Sequence, residues 1–160
     1  MKHPADSSPL LKASETEAAA SSNARIERLL VVDDDEINRD LMSRRFRRAG
    51  YLVNTAADGE QALRCIQSEQ VDLVLLDLMM PQMSGLELLK TLRAQYTPSQ
   101  LPVIMVSALN ESNQIVVALT FGANDYITKP IDFSVAIARV RTQLLRKKAD
   151  EALRESKEEK

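Results

Sequence analysis

The 160-residue sequence contains very few of the residues on which several common kinds of enzyme depend. It has a single histidine, His3, and a single cysteine, Cys65. One histidine excludes Ser-His and Cys-His nucleophile pairs, unless the chain terminus around His3 supplies the base, and it excludes multi-histidine metal sites. One cysteine excludes an internal disulfide and a CxxC zinc or redox site. Chemistry in this chain must therefore depend on carboxylates, lysine and hydroxyl groups.

The sequence also contains little glycine, has a small net charge and lacks long apolar runs. Only four glycines are present, and none belongs to a GxGxxG or Walker loop, which disfavours nucleotide binding through a glycine-rich loop. The net charge of −2 gives no basic attraction for nucleic acid. No segment reaches the ~20 apolar residues of a membrane helix, and residues 1–23 lack the apolar core of a secretory signal. We therefore expect a cytoplasmic protein that binds neither nucleic acid nor membrane.

The order of apolar and amphipathic segments predicts an α/β fold. Residues 1–25, rich in alanine, serine, proline and glutamate, show no sustained period and are predicted to form a disordered arm. From Glu27 onward, short apolar runs alternate with amphipathic stretches, which is typical of a parallel sheet with helices on both faces. Five strands are predicted, each followed by a helix: Leu29–Val32, Tyr51–Thr55, Val71–Leu76, Leu101–Val106 and Asp125–Thr128.

Local signals place several helix ends between these strands. Gly50 suits the left-handed C-cap that ends the first helix, and Ser84 with Glu87 forms a capping box that begins the third. The fourth helix is predicted over about residues 112–120. Its side chains expected to face the core are Ile115, Val116 and Leu119.

The fifth helix begins near Phe133 and continues without glycine or proline through residues 148–160. Two interpretations of this extension remain open. It is either a frayed, charged tail or a helical linker that pairs with its copy in a dimer and leads to an output module outside this chain. We predict the linker over residues 148–160.

Polar side chains follow the predicted strands at the sheet edge where ligands bind in open parallel sheets. Asp33 and Asp34 follow the first strand and Asp77 follows the third, while Ser107 and Lys129 end the fourth and fifth strands. A solvated acidic helix start, a turn serine and a surface lysine are the ordinary alternatives. However, Asp77 directly ends a buried run. Like charges ~4 Å apart repel by about 4 kcal/mol at an effective dielectric constant of 20, so converging carboxylates predict a cation.

Oxygen ligands of this kind favour Mg²⁺, or Mn²⁺, over zinc or copper. A hard divalent ion, an ammonium group and a hydroxyl around one carboxylate suit phosphoryl transfer, in which charge on the phosphoryl oxygens must be stabilised. Carboxylates form acyl phosphates by in-line attack, so Asp77 is the candidate acceptor.

Together these segments resemble the receiver domain of the response regulators of two-component signalling, the fold of the chemotaxis response regulator. The resemblance implies a receiver domain over residues 26–147, with a doubly wound five-stranded parallel sheet in the flavodoxin-like order 2-1-3-4-5 and a (βα)5 three-layer sandwich. It depends on five segments in order: LLVVDDD at 29–35, DLVLLDLMMP at 72–81, MSG at 83–85, VIMVSA at 103–108 and GANDYITKP at 122–130.

The resemblance also implies roles for the acidic residues. Asp77 would accept a phosphoryl group from the phosphohistidine of a histidine kinase or a histidine phosphotransfer domain. Asp34, Asp77 and the backbone carbonyl of Met79 would hold Mg²⁺ directly, and Asp33 would act partly through water. Lys129 would bind a phosphoryl oxygen.

A conformational switch is implied in the same way. Ser107 would close on a phosphoryl oxygen after transfer, Tyr126 would turn inward when the hydroxyl moves, and the Lys129–Pro130 peptide bond would be cis. The chain would be a phosphoacceptor rather than an enzyme. It would form a homodimer through the face around the fourth and fifth helices or through the C-terminal helix.

Two positions depart from the family pattern. Met79 and Leu109 stand where many members carry polar residues that help to place the water that hydrolyses the phosphate, so we predict slow self-dephosphorylation. Two other functions remain open. One is a haloacid-dehalogenase-like phosphatase that uses Asp33, and the other is a receiver that serves for docking or dimerisation without phosphorylation.

Overall fold

The computed structural model describes residues 25–108 and 112–159, so residues 1–24 of the predicted arm and Leu109 lie outside the described residues. Strand and helix alternate five times along the described chain. The strands are β1 (Arg28–Val32), β2 (Leu52–Ala56), β3 (Leu73–Asp77), β4 (Val103–Ala108) and β5 (Asp125–Lys129). The helices are α1 (Glu36–Arg48), α2 (Gly59–Ser68), α3 (Gly85–Arg93), α4 (Ser112–Thr120) and α5 (Phe133–Glu159).

The five strands form one parallel sheet in the order β2-β1-β3-β4-β5, which confirms the predicted fold class and strand order. The strand bounds differ from the predicted ones by up to two residues. The strand order reverses between β1 and β3, and a crevice opens there at the carboxyl ends of the strands. Asp33 follows β1 and Asp77 ends β3, so both residues lie at this crevice.

Two apolar cores cover the two faces of the sheet and make the fold a three-layer sandwich. On one face, α1 and α5 pack against alternate strand residues, and on the other face α2, α3 and α4 pack against the residues between them. The first core includes Leu29, Val31, Met42, Phe46, Leu73, Leu75, Ile104, Val106, Ala136 and Val140. The second includes Leu30, Val32, Ala62, Val74, Leu76, Leu88, Leu89, Leu92, Met105 and Ala118.

The predicted inner face of α4 is partly wrong. Ile115 and Ala118 are buried, whereas Val116 is 62% exposed and Leu119 is 39% exposed. Residues 115 and 118 are three apart and share one side of the helix, whereas position 116 is rotated by about 100° from 115 and position 119 by about 100° from 118. All five residues over 115–119 are apolar, so the periodicity of the sequence does not show which side of the helix faces the core. The small side chain of Ala118 lets the helix lie close to β4.

The first residue of α3 is held tightly against the end of β3. The capping box forms as predicted, because the Ser84 hydroxyl accepts from the Glu87 N–H and the Glu87 carboxylate accepts from the Ser84 N–H. The Gly85 N–H donates to the Leu78 carbonyl at 3.0 Å. A Cβ on Gly85 would lie 2.2 Å from the Asp77 carbonyl oxygen, so only glycine permits this approach.

Helix α5 contains 27 residues and is the longest element. Among residues 133–157, whose burial the structure describes, the last buried side chain is Leu144, and the apolar residues Leu145 and Leu153 that follow are exposed. Among the helices of the described residues, none combines the length and the apolar character that crossing a membrane requires.

Candidate functional site

Three carboxylates meet at the crevice between β1 and β3. One carboxylate oxygen from each of Asp33, Asp34 and Asp77 lies within 4.8 Å of the other two. Asp33 and Asp77 are buried, with 1% and 4% exposure, because each directly follows or ends a strand of the sheet centre. Asp34 is exposed at the mouth of the crevice. The structure therefore brings together the acidic residues that the sequence placed at two strand ends.

Lys129 is the basic residue of this site. It ends β5, and its side chain crosses the end of β4 so that Nζ lies 3.5 Å from Asp77 Oδ1 and 3.9 Å from Asp33 Oδ2. The peptide bond from Lys129 to Pro130 is cis. One ammonium group thus faces two buried carboxylates, and the described cluster of Asp33, Asp34, Asp77 and Lys129 is left with an excess of negative charge.

Burial is the main influence on the ionisation of the two inner carboxylates. Together with the charge of Asp33, burial raises the pKa of Asp77 from 3.8 to about 7, although Lys129 and the N–H of Met79 act in the opposite direction. Burial likewise raises the pKa of Asp33, against the hydrogen bond that the Asp35 N–H donates to its Oδ1 at 2.8 Å. The charged form of the pair is therefore disfavoured until further positive charge enters the site.

The oxygen atoms of the cluster fit a hard divalent cation. Asp33 Oδ2 is buried and accepts no hydrogen bond from any described residue, which would be costly for a carboxylate oxygen without a cation. Carboxylate and carbonyl oxygens are the ligands that Mg²⁺ prefers, and the cluster contains no nitrogen or sulfur ligand. The donor set therefore matches the prediction made from strand ends.

Ser107 lies beside the acidic cluster on β4, one residue beyond the partner of Asp77 in the sheet register. The residue is 1% exposed, and its Oγ makes no hydrogen bond within the described part of the chain. An unpaired buried hydroxyl costs free energy unless another group uses it. Ser107 therefore keeps a free donor close to the carboxylates.

Tyr126 and Met79 flank the site at greater distance. Tyr126, on β5, is half-buried against the core that α3 and α4 form, and the Arg139 guanidinium carbon lies 5.6 Å from the centre of its ring. Met79 donates its backbone N–H to Asp77 Oδ1 at 3.3 Å, while its side chain is 53% exposed. A thioether beside the Asp77 carboxylate offers no strong hydrogen bond with which to orient water.

Sequence reasoning assigned no role in the site to Arg39. Its guanidinium donates to the Asp33 carbonyl at 2.8 Å and fixes the turn between β1 and α1 that carries the acidic residues. The one signal that could have identified Arg39 is its position in the first turns of α1, because the start of this helix must lie close to the end of β1, where Asp33 is. Several other arginines on the same helix mask that signal.

Comparison with known proteins identifies the family. The model of the response regulator receiver domain family matches residues 29–141. The chain is 41% identical over 119 residues to the alkaline phosphatase synthesis transcriptional regulatory protein PhoP of Bacillus subtilis (strain 168), a match that covers 74% of this chain and 49% of PhoP. It is 40% identical over 129 residues to the response regulator MprA of Mycolicibacterium vanbaalenii, covering 81% of this chain and 55% of MprA. The chain thus spans about half the length of these relatives.

A solved structure agrees with this result. The CheY-like response regulator receiver domain protein of Methanospirillum hungatei JF-1 superposes with a TM-score of 0.73 at 29% identity, over 79% of this chain and 99% of that protein. The family match, the relatives and the shared fold confirm the resemblance that the motifs indicated. The chain is therefore a member of the response regulator receiver domain family, which acts in phosphorelay signalling.

Proposed function

We propose that Asp77 is the phosphoacceptor of this receiver domain and that the donor is the phosphohistidine of a histidine kinase or a histidine phosphotransfer domain. The observation that carries the proposal is the position of Asp77. It is a buried carboxylate at the end of β3 with Asp33 and Asp34 beside it and Lys129 Nζ at 3.5 Å. Of the two buried carboxylates, that of Asp77 lies nearer to Lys129 Nζ, at 3.5 Å against 3.9 Å for Asp33, which favours Asp77 as the one that receives a phosphoryl group at the crevice.

The transfer is a single displacement at phosphorus. A carboxylate oxygen of Asp77 forms a bond to the phosphorus atom while the bond from phosphorus to the donor's imidazole nitrogen breaks, and the released imidazole takes up a proton from solvent. The ammonium of Lys129 balances charge on a phosphoryl oxygen, since it already faces the Asp77 carboxylate. The Ser107 hydroxyl, which is buried without a partner in the described structure, donates to another phosphoryl oxygen.

Asp33, Asp34, Asp77 and the backbone carbonyl of Met79 would hold Mg²⁺, with Mn²⁺ as a substitute. When bound, the ion supplies positive charge that offsets the carboxylates and the transferred phosphoryl group. The buried Asp33 Oδ2, which accepts no hydrogen bond from any described residue, supports this assignment.

The phosphorylated domain would act as a two-state switch and not as an enzyme with a turnover substrate. Engagement of Ser107 would leave space into which the half-buried Tyr126 turns, which would shift the population of two forms of the face around α4, β5 and α5. That face or the extension of α5 would mediate a homodimer. Residues 26–147 would be the receiver and residues 148–160 a helical linker to an output module, as the greater length of the relatives suggests.

The exposed Met79 side chain beside Asp77 supports a long-lived phosphorylated state, because it cannot place a hydrolytic water by hydrogen bonding. A lifetime of only seconds for the phosphorylated form in magnesium buffer would contradict slow self-dephosphorylation.

Treatment with acetyl phosphate and Mg²⁺, followed by intact mass measurement, tests the proposal. We expect one phosphoryl group per chain in the wild type, the same in the exposed control variant Asp40→Asn, and none in Asp77→Asn. Repeated turnover of a phosphate ester that is lost in Asp33→Asn would indicate a phosphatase. Absence of any labelling would indicate a docking receiver, and either of these results would overturn the proposal.

A further inference from the structure

The C-terminal part of α5 remains attached to the domain after its apolar contacts end. Leu144 is the last buried side chain of the helix, yet the segment from Leu145 to Glu159 extends by about 22 Å more. Polar contacts at Lys148 and Asp150 join this segment to the domain. Within the part of the chain that the structure describes, residues 151–157 form no hydrogen bond or ion pair with the domain.

The stronger of the two contacts joins α5 to the loop between α3 and β4. Ser99 Oγ donates to Asp150 Oδ2 at 2.7 Å, a charge-assisted hydrogen bond. Lys148 Nζ lies 3.6 Å from Glu27 Oε2, at the residue before β1. Residues two positions apart point about 200° apart around a helix, so the domain holds α5 from two sides. We name the Ser99–Asp150 bond the clamp.

The loop that carries Ser99 is itself fixed to the last residue of α3. The Arg93 guanidinium donates to the carbonyls of Leu101 at 2.9 Å and of Thr97 at 3.4 Å, on the two sides of Ser99. Asn124 Nδ2 donates to the Pro98 carbonyl at 3.1 Å. The loop therefore moves together with the C-terminal end of α3, since Arg93 would leave several carbonyls unpaired if it moved alone.

The other end of α3 contacts the phosphoacceptor. Gly85 begins the helix directly against the Asp77 carbonyl, and its N–H donates to the Leu78 carbonyl. Helix α3 contains nine residues and spans about 14 Å between this contact and Arg93. A displacement of the backbone at Asp77 therefore reaches the loop of Ser99 through one rigid helix.

The joint between this loop and α5 is not close-packed. A cavity of about 160 Å³ lies between them, lined by Pro98, Ser99, Gln143 and Asp150 among others. The clamp can therefore break without exposing the apolar core. By contrast, separating the part of α5 up to Leu144 from the sheet would expose that core.

We propose that the Ser99–Asp150 clamp fixes the direction of the C-terminal part of α5 and that phosphorylation at Asp77 alters it through α3. This route differs from the switch at Ser107 and Tyr126, because it runs along α3 to the loop before β4, at the amino ends of the strands. The proposal that the clamp holds α5 does not depend on the proposed function, whereas the response of the clamp to phosphorylation rests on it. The chain would populate two forms: one in which the clamp holds the C-terminal part of α5, and one in which the clamp is broken and this part is released.

Distances between two spin labels test the clamp. The labels are placed at Gln67→Cys in α2 and Arg154→Cys in α5, both exposed, in a Cys65→Ala background. We expect a narrow distance distribution in the otherwise unchanged chain and a released population about tenfold larger after Ser99→Ala or Asp150→Ala. The double variant should release no more than either single one, because both remove the same bond.

Two controls keep the result specific. Ser134→Ala, at an exposed position of α5 remote from the clamp, should leave the distribution unchanged. Asp150→Ala favours helix intrinsically, so broadening in this variant cannot be explained by unwinding of α5. Unchanged distributions in both Ser99→Ala and Asp150→Ala would refute the clamp.

The response to phosphorylation is measured on the same labelled chains with acetyl phosphate and Mg²⁺, with the mass recorded in parallel. We expect the distance distribution to shift with phosphorylation in the wild type and not to shift in Ser99→Ala, although both become phosphorylated. A shift of equal size in both would refute the coupling through the clamp. Absence of phosphorylation in both would refute the proposed function and the coupling with it, while the distances without phosphate would still decide the clamp.

Discussion

Replacement of Asp77 by the neutral amide of asparagine should stabilise the fold in the absence of divalent ions. Burial and the charge of Asp33 disfavour the ionised form of Asp77, which is why its pKa is raised to about 7. Asparagine has nearly the same shape and carries no charge. The variant therefore removes the free-energy cost of a buried negative charge, which the wild type bears only in its folded state.

The structure gives the magnitude of this effect. A pKa of about 7 in the folded state against 3.8 in an unfolded chain corresponds to about 4 kcal/mol at 1.36 kcal/mol per pKa unit. At an effective dielectric constant of 20, repulsion between two of these carboxylate oxygens is about 3.5 kcal/mol or more, because they lie within 4.8 Å of each other. Attraction to Lys129 at 3.5 Å is about 4.7 kcal/mol and offsets that repulsion, leaving burial as the net cause. Because the pKa shift already includes this attraction, we expect a gain of about 4 kcal/mol wherever Asp77 of the wild type is ionised.

The gain should depend on pH in a defined direction. An unfolded chain loses the Asp77 proton near pH 3.8, whereas the folded chain keeps it until about pH 7. The wild type therefore loses stability as the pH rises through this window, and the loss is complete above it. Relative to wild type, Asp77→Asn should be about 4 kcal/mol more stable at pH 8 and only about 0.5 kcal/mol more stable at pH 4.

Urea unfolding at pH 4 and pH 8, with a chelator present, measures both differences. The exposed carboxylate variant Asp40→Asn serves as the control and should change stability little at either pH. Millimolar Mg²⁺ at pH 8 should stabilise the wild type more than Asp77→Asn. The reasoning fails if Asp77→Asn is no more stable than the wild type at pH 8, or if its advantage is the same at both pH values.

Three further variants test other parts of the structure. Gly85→Ala should destabilise the fold by about 2–4 kcal/mol in urea unfolding, since its Cβ would lie 2.2 Å from the Asp77 carbonyl oxygen; an unchanged midpoint would contradict the close contact. Arg93→Ala should cost about 2–3 kcal/mol in thermal unfolding because it leaves partly buried carbonyls unpaired, against less than about 0.5 kcal/mol for the exposed Arg44→Ala; equal losses would refute this role. Met79→Asn should shorten the phosphorylated lifetime by about tenfold, measured as loss of phosphoryl mass with time, and a longer lifetime would argue against the water-placing explanation.

Much of the fold was predictable because both faces of the central strands are covered. Runs such as Leu73–Asp77 are continuously apolar up to a terminal carboxylate, so the sequence alone indicates a buried strand and the point where it ends. The carboxyl ends of parallel strands meet at one edge, and for that reason Asp33, Asp77 and Lys129 could be predicted to converge.

The parts that were not predictable depend on contacts between distant segments. The exposed side of α4 could not be inferred, because residues 115–119 are all apolar and no period distinguishes the buried pair. The clamp joins Ser99 to Asp150, which are 51 residues apart and are both ordinary surface residue types. Arg93 likewise gives no signal in sequence, since all its partners except the Asn124 side chain are backbone carbonyls that carry no side-chain pattern.

The most direct test of the central claim is to locate the phosphoryl group by chemical trapping. An acyl phosphate is reduced by borohydride, which converts the modified aspartate to homoserine, and peptide sequencing by mass spectrometry then identifies the position. After treatment with acetyl phosphate and Mg²⁺, we predict homoserine at position 77 in an amount that matches the phosphorylated fraction of intact chains. Homoserine at position 33 or 34, with Asp77 unchanged, would contradict the assignment of Asp77 as the phosphoacceptor.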